Sequence, residues 1–101
     1  MTTVVTDNPA AGRFELTVDG RLVGKAEYQR IGTALAVTHT EIDPAFEGQG
    51  LGSVLARTVL DRARAAGEAV LPYCPFLNAY MKRHSEYVDL VPESERASFG
   101  L

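Results

Sequence analysis

The chain is short of cysteine, of long hydrophobic runs and of surplus positive charge. Cys74 is its only thiol, so no intrachain disulfide forms and no zinc cage can be built on thiolates. A reducing, cytoplasmic setting is expected. No apolar stretch approaches the ~20 residues of a membrane span, and Met1 to Asp7 lack the basic and apolar regions of a secretory leader. Ten Lys and Arg stand against thirteen Asp and Glu, a net charge of −3. Neither nucleic acid nor an anionic membrane is therefore an expected partner. No internal repeat, linker or low-complexity segment is present. What remains, 46% hydrophobic and 23% charged in 101 residues, is too apolar for disorder and suits one modest core. A single domain over residues 1–101 is expected, with its core at about 13–91.

The first part of the chain reads as strands. Phe14, Leu16 and Val18 alternate with Glu15 and Thr17, and Asp19-Gly20 is a hairpin signal. The return strand runs from about Leu22 to Tyr28, where Gly24 marks a bulge or a close backbone approach. Thr33 to Ile42 is a longer strand, with Leu35, Val37, His39 and Glu41 expected on one face. Val4-Val5 suits a short edge strand. Pro44 closes this region. Leu51, Val54, Leu55, Thr58, Val59 and Arg62 then recur at helical spacing up to about Ala66, and Gly67 stands where a C-terminal cap belongs. A strand follows at 69–72, ending at Pro72 or Cys74, and a helix from Phe76 to about Tyr87, with Pro75 at its first turn. Val88 to Val91 is expected to add a last strand, with Pro92–Leu101 frayed. The class is α/β or α+β.

Glu47-Gly48-Gln49-Gly50-Leu51-Gly52-Ser53 joins a strand to a helix. Glycines there leave backbone amides uncovered, and the helix N-terminus adds free N–H groups and partial positive charge. Such a loop either holds a phosphate or pyrophosphate or is simply a tight turn. The Walker pattern is excluded because Gly52-Ser53 lacks a lysine between its members. The dinucleotide fingerprint is excluded because Gly48, Gly50 and Gly52 are evenly spaced and follow a meander.

Asp43-Pro44-x-Phe46-Glu47-Gly48-Gln49-Gly50-Leu51-Gly52-Ser53 resembles the coenzyme A pyrophosphate loop of the GNAT superfamily of N-acetyltransferases, whose pattern is Gln/Arg-x-x-Gly-x-Gly/Ala. Gly50 and Gly52 match, whereas Glu47 occupies the Gln/Arg position. The run from Leu71 to Val91, with Cys74-Pro75-Phe76 and Arg83-His84-x-x-Tyr87, resembles a small single-domain branch of that superfamily about as long as this chain. The resemblance covers about residues 13–91. It implies an acyl-CoA N-acyltransferase-type fold: a mixed, mostly antiparallel sheet, splayed at its middle, with two main helices. It also implies an acetyl-CoA-dependent N-acetyltransferase needing no metal. The backbone of Glu41, Ile42 and Asp43 would bind pantetheine, and the amides of Gly48, Gln49, Gly50, Leu51, Gly52 and Ser53 the pyrophosphate. The helical pair that walls the acceptor site in longer relatives is missing, so an open site is expected. The acceptor is an unidentified amine: a protein lysine, a polyamine or a small molecule. The alternative is a catalytically silent acyl-CoA-binding or protein-interaction module.

Acetyl transfer needs a neutral amine, a polarised carbonyl and a proton for the departing thiolate. His39 is either the general base, imidazole being the side chain best suited to that role at neutral pH, or a packing histidine. Cys74 is a nucleophile, a group that positions the acceptor, or a small buried hydrophobe. A Cys74–His39 pair requires both on one side of the sheet. Tyr80 matches the tyrosine that protonates the thiolate in many relatives; with Phe76 and Tyr87 it also forms an apolar stripe, and those two are read as core. Asn78 either contacts pantetheine or faces water. Lys82 and Arg83 complement a helix C-terminus, and the resemblance adds Arg83 or Lys82 as a contact of the CoA 3′-phosphate.

Overall fold

A computed structural model describes residues 1–101. Five strands, β1 (Thr3–Asn8), β2 (Arg13–Val18), β3 (Arg21–Ile31), β4 (Ala34–Ile42) and β5 (Ala69–Pro72), form one sheet in sequence order. Pairing is antiparallel from β1 to β4 and parallel between β4 and β5. Helix α1 (Leu51–Ala66) makes the crossover between the parallel pair, and α2 (Pro75–Arg83) follows β5. The Asp19-Gly20 turn takes positive φ at both residues, which matches a hairpin to the twist of its strands.

Two bulges set the faces of the sheet. On β3, Leu16 pairs with Gly24 and Thr17 with Leu22, so Val23 is the extra residue. On β4, Tyr28 pairs with Val37 and Glu27 with His39, so Thr38 is the extra residue. Each bulge shifts the alternation by one. Leu35 and Val37 enter the core, but His39 and Glu41 do not share their face as strict alternation requires. Instead, Thr40 lies opposite buried Ala26 and Ile42 opposite Gly24, on the core side.

The core joins Phe14, Leu16, Ala26, Tyr28, Leu35 and Val37 of the sheet to one stripe of α1 and to Leu77, Tyr80 and Met81 of α2. Leu55 and Leu60 are fully buried, and burying such a side chain contributes about 1.5–3 kcal/mol. The opposite sheet face is a solvated charge ladder: Arg13–Glu15, Lys25–Glu27 and Lys25–Glu41 are ion pairs at 2.8, 3.0 and 3.6 Å. Hydrogen bonds from these partners hold the Glu15 and Glu27 carboxyls below their usual range and the Lys25 ammonium above its own.

The C-terminal region differs from the sequence expectation. Helix α2 ends at Arg83 instead of about Tyr87, and Ser85–Leu90 is a 3-10 segment that takes in most of the strand expected at Val88–Val91. Side chains fix it to α1: Tyr87 Oη donates to Asp61 at 2.7 Å, and Arg64 donates to Asp89 and to the Glu86 carbonyl. Leu90 and Val91 are meanwhile buried. The tail is docked, not frayed. It makes a helical turn at Glu93–Arg96 and a 3-10 turn at Ala97–Phe99, and Phe99 packs edge-on against Tyr73 at 5.1 Å.

Candidate active site: a cleft between the glycine loop and a parting pair of strands

β5 pairs with β4 only from Ala34 to Val37. Past that point the Cys74 N–H reaches the Val37 carbonyl at 2.8 Å, and then the strands part. Thr38–Ile42 keeps β3 as its neighbour on one side and faces a gap on the other. The expected splay is present, and it begins where β5 ends at Pro72 and Cys74 caps the start of α2.

The gap opens into a cleft of about 310 Å³, walled by Thr40, Ile42, Phe46, Leu51 and Phe76, with Glu47 and two loop glycines at its mouth. Phe76, read as core from its spacing, is 38% exposed and forms a cleft wall. Its ring lies where a Cβ on Gly52 would stand, with Cζ at 2.8 Å, so the bare α-carbon at Gly52 lets the ring reach the start of α1. Gly50, the N-cap, has φ of 74°, and Gly48 has 81°. Side chains rarely adopt that left-handed region.

The loop amides are free. No protein acceptor meets the N–H groups of Gly48 to Ser53; the first amide bonded in this stretch is that of Val54, to the Gly50 carbonyl at 3.2 Å. No side chain caps α1, and no acidic residue stands in its first turn. Uncapped amides and a helix dipole together suit an anion. Of the side chains, only Glu47 at its mouth opposes a negative ligand. Arg21, largely exposed, lies over Phe46 with its guanidinium 5.3 Å from the ring centre, and it pairs with the Asp43 carboxylate at 3.5 Å.

The expected pantetheine contacts divide by direction. The Asp43 N–H is committed to the Val23 carbonyl at 2.7 Å, and its carboxylate accepts from the Ala45 amide. Asp43 thus has no backbone donor left for a ligand. Because backbone groups alternate along a strand, those of Glu41 also turn to β3, while those of Ile42 and Thr40 turn to the gap.

His39 and Cys74 are not brought together. His39 stands on the solvated sheet face, 54% exposed, its Nε2 3.9 Å from Glu41. Cys74 is buried on the core side, where its thiol donates to Thr40 Oγ1 at 3.2 Å. Tyr80 is buried outside the cleft lining, its ring stacked on His84 at 4.2 Å. The Asn78 amide neither faces water alone nor enters the cleft; it donates to the Phe99 carbonyl at 2.9 Å and holds the tail. Arg83 is exposed at the far end of α2 from Cys74, with its guanidinium 6.0 Å from the centre of the Tyr80 ring.

Thr40, and the role of Phe46 as a cleft wall, escaped the sequence reading. Gly24 carried the available hint: Ile42 Cδ1 lies 2.7 Å from where its Cβ would be, so a large side chain opposite a strand glycine marks the face that closes on the cleft.

The profile of the family described as GCN5-related N-acetyl-transferase matches residues 13–90. Among solved structures, the ribosomal-protein-S18-alanine N-acetyltransferase from Escherichia coli is 27% identical over 57% of this chain, with a TM-score of 0.55; the match spans 38% of that enzyme. A GCN5-like protein of Staphylococcus aureus, 18% identical, matches 88% of this chain and 87% of its own with a TM-score of 0.67, and shows the same fold. No curated protein sequence matches the chain.

Proposed function

The chain belongs to the GCN5-related N-acetyl-transferase family, and from that premise we propose that it moves an acetyl group from acetyl-CoA to an amine. The observation that carries this reading is the run of unpartnered amides from Gly48 to Ser53 at the mouth of a cleft that ends where β4 and β5 part. The donor set fits the coenzyme. Free amides and a helix N-terminus suit a pyrophosphate, and the apolar walls suit the pantetheine arm. Bound there, acetyl-CoA supplies an activated thioester.

The chain's own residues do the rest. Loop amides fix the anionic end, Ile42 and Thr40 present backbone groups to the arm, and Phe46 and Phe76 exclude water from it. The solvated sheet face, which no helix covers, leaves the amine an open approach. His39 and Glu41 stand on that side of β4, where an incoming ammonium would lose its proton. Arg83 is the candidate for the 3′-phosphate. A second reading, binding without transfer, is favoured by the burial of Tyr80 under His84, which leaves the cleft no phenol.

Calorimetric titration with CoA, acetyl-CoA and ATP, followed by a thiol-release assay over protein lysines, polyamines and small amines, separates these. Binding of both CoA species without ATP, and thiol release with one amine class, is the expected result. Binding with no release for any amine would leave the second reading. No binding would refute both.

A further inference from the structure

Thr40 carries the only side-chain hydroxyl among the residues lining the cleft, at the end where β4 and β5 separate. That hydroxyl accepts a hydrogen bond from the Cys74 thiol at 3.2 Å. Cys74 is itself fixed: its N–H bonds the Val37 carbonyl, and Pro75 starts α2 immediately after it. A hydroxyl is one donor with two acceptor lone pairs. With one lone pair engaged from the buried side, its rotor is restrained and its own proton is left for the open side.

We propose that Thr40 Oγ1 donates this proton as a hydrogen bond to the acyl carbonyl oxygen of a thioester seated in the cleft, with Cys74 as the positioning residue that aims it. The assignment rests on the acetyl-CoA reading above. In acyl transfer to an amine, the N–C bond forms and the C–S bond breaks. Sulfur leaves with the electron pair and receives the proton that nitrogen gives up. Between those events negative charge gathers on the carbonyl oxygen, and a preorganised donor there stabilises it. Thr40 keeps its proton throughout. The bulge at Thr38 is what makes this possible, because without it residue 40 would face the charge ladder and residue 39 the cleft.

Infrared difference spectra of acetyl-CoA labelled with carbon-13 at the carbonyl test this without an acceptor. The wild-type protein is expected to lower the bound carbonyl stretch relative to free acetyl-CoA. Thr40→Val should return it towards the free value in protein that still binds acetyl-CoA, and Thr40→Ser should keep the lowered band. Cys74→Ala, with the hydroxyl present but not aimed, should broaden the band. Once an acceptor is known, Thr40→Val should slow turnover roughly a hundredfold, the cost of one such donor. An identical lowered stretch in wild type and Thr40→Val would overturn the proposal. So would an unshifted wild-type band in a protein that still binds CoA, and that result would leave the acetyl-CoA reading standing. Failure of the wild type to bind CoA at all would remove both. Should Thr40→Val not fold, the Cys74→Ala band decides: a band as sharp and as low as wild type overturns the positioning role.

Discussion

On one side of β4, His39 and Glu41 stand in solvent beside Lys25 and Glu27; on the other, Thr40 and Ile42 wall a cleft, and Thr40 meets the buried thiol of Cys74. Adjacent residues thus enter opposite environments. The first set gains little from its ion pairs, since exposed pairs contribute about 0–1 kcal/mol each. The second is held by packing and by bonds water cannot replace. What divides them is one extra residue, Thr38, whose hydroxyl also reaches the Glu27 carbonyl. A histidine on the strand beside the one that leads to a thiol is therefore no guide to a Cys–His pair, because the bulge decides which side chain crosses the sheet.

The strongest way to break the cleft side is at its mouth. Gly50→Val places a β-branched residue at φ 74°, costing about 1–2 kcal/mol of strain and turning the loop amides. CoA affinity should fall tenfold or more while the fold persists, as titration calorimetry and thermal unfolding would show. Unchanged affinity would mean the amides are not the anion site.

The solvated side should answer differently. His39→Ala is expected to change stability by no more than about 0.5 kcal/mol and to leave CoA affinity unaltered, while slowing transfer to the amine. A matching loss of CoA affinity would erase the distinction between the two sides.

The smallest effect lies away from both. Tyr87 donates to Asp61, and this bond pushes its phenol up to about 12. A folded-state pKa above the unfolded value of about 10 stabilises fully below pH 10, and the contribution is lost as pH rises through about 12. Burial and Asp7 also hold the Tyr28 phenol above its usual range, so an ultraviolet titration should show late ionisation that Tyr87→Phe reduces while flattening the alkaline fall in stability. A tyrosine ionising near pH 10 at this position would contradict the tie between α1 and Ser85–Leu90.

Much of this was legible in the sequence for local reasons. Alternation gave β2, Asp19-Gly20 gave the hairpin, helical spacing and Gly67 gave α1, and Pro75 gave the start of α2; the glycine loop then pointed to an anion. The rest depended on contacts far apart in the chain. Val88–Val91 has strand-like residues, but Asp61 and Arg64 on α1 hold Ser85–Leu90 in helical turns. The tail is polar enough to fray, yet Asn78 and Tyr73 dock it. Thr40 lay hidden because periodicity continues smoothly through a bulge that only pairing with β3 reveals.

The most direct test of the whole account is a set of amide spectra of the labelled protein, titrated with CoA and, separately, with ATP. The account predicts the largest shifts at Gly48–Ser53, with Thr40 and Ile42, for CoA alone. No shifts with CoA, or the same shifts with ATP, would contradict it.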